Sequence, residues 1–361
     1  MGRLNSREEQ RSNLHWASRY KGTPAHLPGI ASSQALRSLF YEDLLHYFAL
    51  AALSRSTTAP ESMVQDALTL VFRVRVSLER SIAEAVTEAV RNLGVTAFGL
   101  ETAPLHGCSK KQGISIRMPL MSCVPSRLCG AACYAHDVLD AAPASVVRGA
   151  VNGAIAGWYE ECSHQDREGL LTALHKPIQR MVAAARKDAA ASAATFLRRP
   201  RIRFAHVGEF AYYPNFANAL ASRVHDVSRG EVDCVVYTRH PDARLLDQRL
   251  FKTLFTLDES SEDRRRFVPD GARVVRSAFG GQVTETVDVN FLEHHRWIHI
   301  KPVGFGKVCP ATAPDTKVRT CDACHCDFCF TRPDSARPSV SSEPEPSVIS
   351  TRGAALIARQ E

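Results

Sequence analysis

The chain has 361 residues, 45% apolar and 23% charged, with a formal net charge of +7. That is the balance of a globular protein of one large or two ordinary domains. It excludes a membrane-spanning helix, because no apolar run approaches the roughly 18 residues one needs, and the scattered basic residues do not by themselves mark a nucleic-acid footprint. The first ten residues are polar and lack the apolar core of a signal peptide. The expected compartment is therefore the reducing cytoplasm, where the 11 cysteines favour metal thiolates over disulfides.

Residues 1–32 read as a polar arm. From Ser33 the apolar residues Leu36, Leu39, Phe40, Leu44 and Phe48 recur at helical steps. After Pro60 a long helix is expected, with Val64, Leu68, Phe72, Val76, Ile82 and Val86 towards a core and Gly94 as its stop. Residues 33–100 thus form a helical layer with no visible chemistry. Gly113–Met121 reads as a strand in which Ile114, Ile116 and Met118 alternate with polar residues. A cysteine-bearing loop follows, then helices over Ser145–Glu161 and Asp166–Leu197.

From Arg201 strands and short helices alternate. Strands are expected at Ile202–Val207, Val232–Tyr237, Thr253–Leu257, Ala272–Phe279, Val283–Val289 and Trp297–Val303. Helical segments fall at Pro214–Val227, Asp242–Leu250 and Ser260–Phe267. This alternation predicts βα units and a mainly parallel sheet whose strand C-terminal ends share one edge. Residues 101–308 are read as a partial or complete βα barrel of the TIM type. Residues 309–331 form a Cys-rich metal knuckle, and the Ser-, Pro- and Glu-rich residues 332–361 a disordered tail.

Two cysteine clusters carry the chemistry. Cys123, Cys129 and Cys133 fall within eleven residues as C-x5-C-x3-C. Three thiolates on one loop can hold a metal whose fourth ligand comes from Cys108, His136, Asp137 or Cys162, or they can leave one metal position open. The second set is Cys309 followed by Cys321, Cys324, Cys326 and Cys329, a C-x2-C-x-C-x2-C run that suits zinc or a four-iron cluster. At the strand ends, Gly208 allows close backbone approach and Glu209 can bind an amine. Tyr237 and Arg239 end the next strand, where Arg239 can clamp an anion or pair with a neighbouring acid. Asp258 and Ser277 end the following two strands and read as structural.

The order I-x-M-P-L-x-S-C-V-P-S-x-x-C-x-x-x-C-Y-A, R-I-R-F-A-H-V-G-E-F, V-V-Y-T-R and C-P…C-x-x-C-x-C-x-x-C resembles the phage "gene product 88"-like domain family over about residues 110–330. That family occurs on phages, on plasmids and in bacteria and has no assigned biochemical function. The layout is more distantly similar to radical S-adenosylmethionine enzymes, in which a three-cysteine loop follows the first barrel strand and a Gly-Gly-Glu-type motif ends the second. That resemblance implies a 4Fe-4S cluster on Cys123, Cys129 and Cys133. It also implies S-adenosylmethionine at Gly208, Glu209, Tyr237 and Arg239, and an auxiliary cluster on the C-terminal cysteines. The chain departs from that family's C-x3-C-x2-C spacing, and Tyr134 follows the third cysteine rather than preceding it. Two functions are carried forward. One is an iron–sulfur, radical-SAM-like enzyme of unknown substrate. The other is a zinc-stabilised, non-catalytic module that binds nucleic acid or protein.

Overall fold

The computed structural model describes residues 33–97, 105–109, 113–131, 133–136, 142–192, 199–279, 281–292, 304–305 and 307–309. The expected polar arm, the tail, the strand at 297–303 and Cys321, Cys324, Cys326 and Cys329 lie outside them. Seven strands form one sheet in sequence order: β1 (His106–Ser109), β2 (Gly113–Ile116), β3 (Arg201–Phe204), β4 (Asp233–Thr238), β5 (Phe251–Leu257), β6 (Arg273–Ala278) and β7 (Val289–Leu292). β1 and β2 are an antiparallel hairpin, and every later neighbour is parallel. The protein is therefore an α/β fold built on a mostly parallel sheet. Among the described residues β1 is one edge, and beyond β7 a single parallel bridge joins Asn290 to Val308.

The helices are α1 (Ser33–Leu39), α2 (Tyr41–Leu53), α3 (Glu61–Ala97), α4 (Arg127–Ala131), α5 (Pro143–Glu161), α6 (His164–Ala173), α7 (His175–Ser192) and α8 (Pro214–Ser228). Pro143 and Pro214 sit in first turns, where a missing N–H costs nothing. Ser163 caps α6 by accepting the Asp166 N–H. α7 packs on β2 and β3, and α8 on β4 and on α5 and α7. The sheet face they cover carries Ile202, Phe204, Val236, Phe251 and Phe255 in the main core. The opposite face carries a smaller cluster of Val235, Leu254, Val275, Val289 and Cys309. Both faces are thus buried, and the whole of β2 and all of β5 except Lys252 are buried, with Ser115, Thr253 and Thr256 among them.

Several expected boundaries move. The strand expected over Gly113–Met121 ends at Ile116, and a 3-10 turn takes Leu120–Ser122. The first helical run breaks between α1 and α2, so Tyr47 and Ala51 are buried while Leu39 is exposed. The helix expected over Asp166–Leu197 is two helices that part at Leu174, and α3 runs past Gly94 to Ala97. The strand expected at Val283–Val289 begins only at Val289. The 3.6-residue period is right for α3, and Val64, Ile82 and Val86 are buried as expected, but in the middle of the helix the face is turned. There Val71 and Leu78 are buried, and so are Arg75 and Glu79. Phe72 and Val76, expected towards the main core, instead join Leu120, Val207, Cys123 and Cys133 in a separate small cluster. Among the described residues no helix is long and apolar enough to cross a membrane.

Candidate functional site

The C-terminal ends of the parallel strands share one edge, as parallel pairing in sequence order requires. β2 runs on into Met118, and the parallel ladder continues past the formal strand ends. The His206 N–H donates to the Ile116 carbonyl at 2.9 Å and the Met118 N–H to the Val207 carbonyl at 2.8 Å. Gly208 then turns the chain at φ +78°. A Cβ there would stand 2.6 Å from the Met118 carbonyl carbon and the Pro119 oxygen, so only glycine lets the two backbones meet. The Glu209 N–H donates to Ser122 Oγ at 2.8 Å, and Ser122 Oγ donates to the Pro119 carbonyl at 2.7 Å. These bonds tie the end of β3 to the start of the cysteine loop.

An open cleft of about 960 Å³, part of it solvent, lies above this edge. Cys123, Cys129 and Cys133 line it from the loop, and Gly208, Glu209, Tyr237 and Arg239 line it from the strand ends. Seven residues named from sequence therefore face one space, although they come from three connections in the fold. No disulfide joins the three thiols. Burial raises all three. Cys123 stands well above the ordinary thiol range, with Glu209 and the other two cysteines adding to the effect, and Cys129 is pushed up to about 11 against the pull of Arg239. Among the described residues no three His, Cys, Asp or Glu side chains converge as they would on a single metal ion.

The loop is braced on two sides. On the strand side, Arg239 Nη1 donates to Asp258 Oδ2 at 2.7 Å and to Ser126 Oγ at 3.2 Å, and Ser126 itself bonds Asp258. Asp258 Oδ1 accepts from Ser260 Oγ and the Ser260 N–H, both at 2.9 Å. Ser126 and Ser260 in turn accept the Cys129 and Leu128 N–H groups. Arg264 donates to the Val124 and Pro125 carbonyls at 2.6 and 3.2 Å. The Asp258 carboxyl is fully buried. Burial alone would raise it, but its bonds from Ser126, Arg239 and Ser260 prevail and hold it below the usual carboxylate range. Arg239 thus pairs with a neighbouring acid and braces the loop while lining the cleft.

On the helical side, α3 supplies a buried pair that the sequence reading missed. Arg75 Nε donates to Glu79 Oε1 at 2.8 Å, and Arg75 Nη1 donates to the Ala135 carbonyl at 2.6 Å and to the Tyr47 hydroxyl at 3.1 Å. Glu79 Oε2 accepts the Met121 N–H at 3.2 Å. The signal was an i, i+4 Arg–Glu pair in register with Val71, Leu78, Ile82 and Val86, the stripe that faces the core. His136, weighed as a fourth metal ligand, turns into this layer with Nδ1 3.2 Å from the Tyr47 hydroxyl. Burial, reinforced by Arg75 and Arg55, holds its pKa down near 3. Cys162 caps the end of α5, and Cys162 Sγ lies 3.7 Å from the Tyr159 carbonyl of that same helix. The Cys108 side chain and Asp137 lie outside the described residues.

Glu209 is the most singular group in the cleft. It is 6% exposed, and Oε2 is buried without a hydrogen-bond partner, while Oε1 accepts the Arg239 N–H at 3.3 Å. Burial lifts its pKa to about 6 against the opposing effects of Thr238 and Arg239. Such a carboxylate can accept a hydrogen bond from a buried cation or hold a proton near neutral pH. Of the second cysteine set only Cys309 is described. It is buried against the sheet face opposite the helices, and its N–H donates to the Asn290 carbonyl at 2.8 Å. Tyr134 stands 53% exposed at the lip of the cleft, its hydroxyl donating to the His206 carbonyl. No family model, curated protein or solved structure matches the chain.

Proposed function

We propose that the chain is an iron–sulfur enzyme of the radical S-adenosylmethionine type, carried on a partial or complete βα barrel of the phage gene product 88-like kind. One observation carries the reading: the three-cysteine loop after β2 and the Gly208-Glu209 turn after β3 line the same cleft. The donor set fits such a cluster. The three thiols line one cleft and are close enough to raise one another's pKa, and three thiolates are the ligand set of a cubane with one open iron. Three cysteines leave one iron open, and a cluster bound there supplies electrons and an open coordination position for the amino-acid end of S-adenosylmethionine.

The chain's own residues have separable tasks in this reading. Cys123, Cys129 and Cys133 give up their protons to become ligands, which reverses the effect of burial on each thiol. Glu209 Oε2 accepts from an ammonium group, and that contact would give the unpartnered oxygen its missing hydrogen bond. Gly208 brings the β3 turn against Met118 and so fixes where that carboxylate stands. Arg239, Asp258 and Ser126 hold the loop, while Phe72, Leu120 and Val207 keep water from one wall. Cys309 with Cys321, Cys324, Cys326 and Cys329 would hold a second centre, either an auxiliary cluster or zinc.

The test is iron, zinc and acid-labile sulfide on anaerobically purified protein, beside a Cys123→Ala, Cys129→Ala, Cys133→Ala variant. Loss of about four irons and four sulfides per chain in the variant is the expected result. Zinc alone, unchanged in the variant, would remove the cluster from this cleft. It would leave the zinc-stabilised binding module, with nucleic acid or protein as partner, in its place.

A further inference from the structure

Below the thiols the floor of the cleft is made by side chains from the middle of the sheet, on the face away from the helices. Arg203 of β3 is the one cation among Tyr237, Thr256, Ser277 and Phe291 there. Strand register sets Arg203 beside Ser115 and Val235, one row below Tyr237. Its guanidinium rises to lie 4.5 Å from the centre of the Tyr237 ring. This cation–π contact holds the guanidinium at the bottom of the cleft.

No carboxylate among the described residues pairs with Arg203, and its Nε is buried without a hydrogen-bond partner. Glu209 lines the same cleft without a salt bridge to Arg203, and three further acids of the strands and their connections are committed elsewhere. Asp258 is held by Arg239 at 2.7 Å, Asp233 by Lys252 at 2.6 Å, and Asp288 lies 3.7 Å from Arg273. Arg203 is half-buried, and a guanidinium taken partly out of water is ordinarily paired with an acid. We propose that Arg203 is the anchor for the substrate, and that the substrate is a small organic anion presenting a carboxylate or a phosphate to the cleft floor. The planar fork suits either group bidentately. Glu209 and Arg203 then divide the cleft, with the carboxylate near the cysteine loop for a cationic amine and the guanidinium beneath it for an anion. The inference rests on the enzyme reading for the word substrate, but the anion site itself needs no metal.

The test is a calorimetric titration of the full-length protein with inorganic phosphate and, separately, with acetate at matched ionic strength. It is repeated on Arg203→Gln and on the Cys123→Ala, Cys129→Ala, Cys133→Ala variant. Saturable binding of either anion is expected, weakened about tenfold or more by Arg203→Gln and retained in the triple variant. Retention there separates this result from any failure of the cluster reading. Binding of phosphate alone assigns a phosphorylated substrate, and binding of acetate alone a carboxylate. Phenylglyoxal modification with peptide mass mapping repeats the test on the unaltered chain. Arg203 should react faster than the paired Arg239 and be protected by the anion that binds. No saturable binding of either anion, binding undiminished in Arg203→Gln, or an Arg203 that neither anion protects would overturn the proposal.

Discussion

The two braces on the cysteine loop are built from the same ingredients and differ in exposure. Arg75 and Glu79 are 2% and 0% exposed, and both reach the main chain around the loop, at Ala135 and Met121. Asp258 is just as buried, but its partner Arg239 is 12% exposed and faces the cleft. The first brace ties the loop to the core of the helical layer. The second ties it to the strand ends where a ligand would sit. A buried pair sealed on all sides is a matter of stability, whereas a pair with one partner in a cleft is coupled to whatever enters it.

The sharpest way to break the symmetry is to remove one partner of the sealed pair. Glu79→Ala leaves the Arg75 charge buried without its acid, and the expected cost is about 3–5 kcal/mol in denaturant unfolding. Arg75→Met with Glu79→Leu should recover most of that loss, because no uncompensated charge remains. A single variant that unfolds no earlier than the parent chain would mean that the pair carries no such role. On the cleft side, Asp258→Ala should cost less, about 1–3 kcal/mol, since water can reach the released Arg239. Its signature should be local. Hydrogen exchange of the Leu128 and Cys129 amides, which donate to Ser260 and Ser126, should speed up before the rest of the chain opens. Unchanged exchange at those two amides would show that the loop is held without Asp258.

The smallest expected effect is on pH dependence. His136 sits neutral in the helical brace with a pKa near 3, held down by burial first and then by Arg75 and Arg55. The unfolded chain takes up its proton near pH 6.5, so stability is full above that pH and is lost as pH falls towards 3. Between pH 6.5 and 5 the His136 contribution falls by about 2 kcal/mol. It is offset in part by Glu209, whose pKa raised to about 6 favours the folded chain as pH falls, and His136→Asn should leave a curve that no longer falls there. Asp258, held below the usual carboxylate range, adds nothing in that window, since stability from a depressed carboxyl is lost only as pH falls through its folded pKa. A stability curve of equal slope in the parent and in His136→Asn would place the acid sensitivity elsewhere.

The strand-end residues were legible in the sequence because each ends a short apolar run. Gly208, Glu209, Tyr237 and Arg239 could be placed on one edge from the alternation of strands and helices alone. The pairing of Arg239 with Asp258 was only one of two readings, because sequence does not say which acid a strand-end arginine meets 19 residues away. The helical brace stayed hidden for a related reason. Arg75 and Glu79 did not enter the sequence reading, because placing Phe72 and Val76 towards the core turns their side of the helix away from it. What distinguishes them is a contact to Ala135, 60 residues later in the chain, and a local period cannot carry that information. Arg203 was read only as a strand residue, because its meaning lies in the acids that the fold assigns to other cations.

One detail of the loop reaches beyond its own chemistry. Arg75, Arg264 and Glu79 grip it by carbonyls and an amide, not by the side chains of Val124, Pro125, Met121 or Ala135. Its shape is therefore largely independent of what most of its residues are. Val124, Arg127 and Leu128 can drift in sequence without unseating the three thiols. The framework is thus an evolvable mount, able to present different reactive groups at the same place over a sheet that need not change.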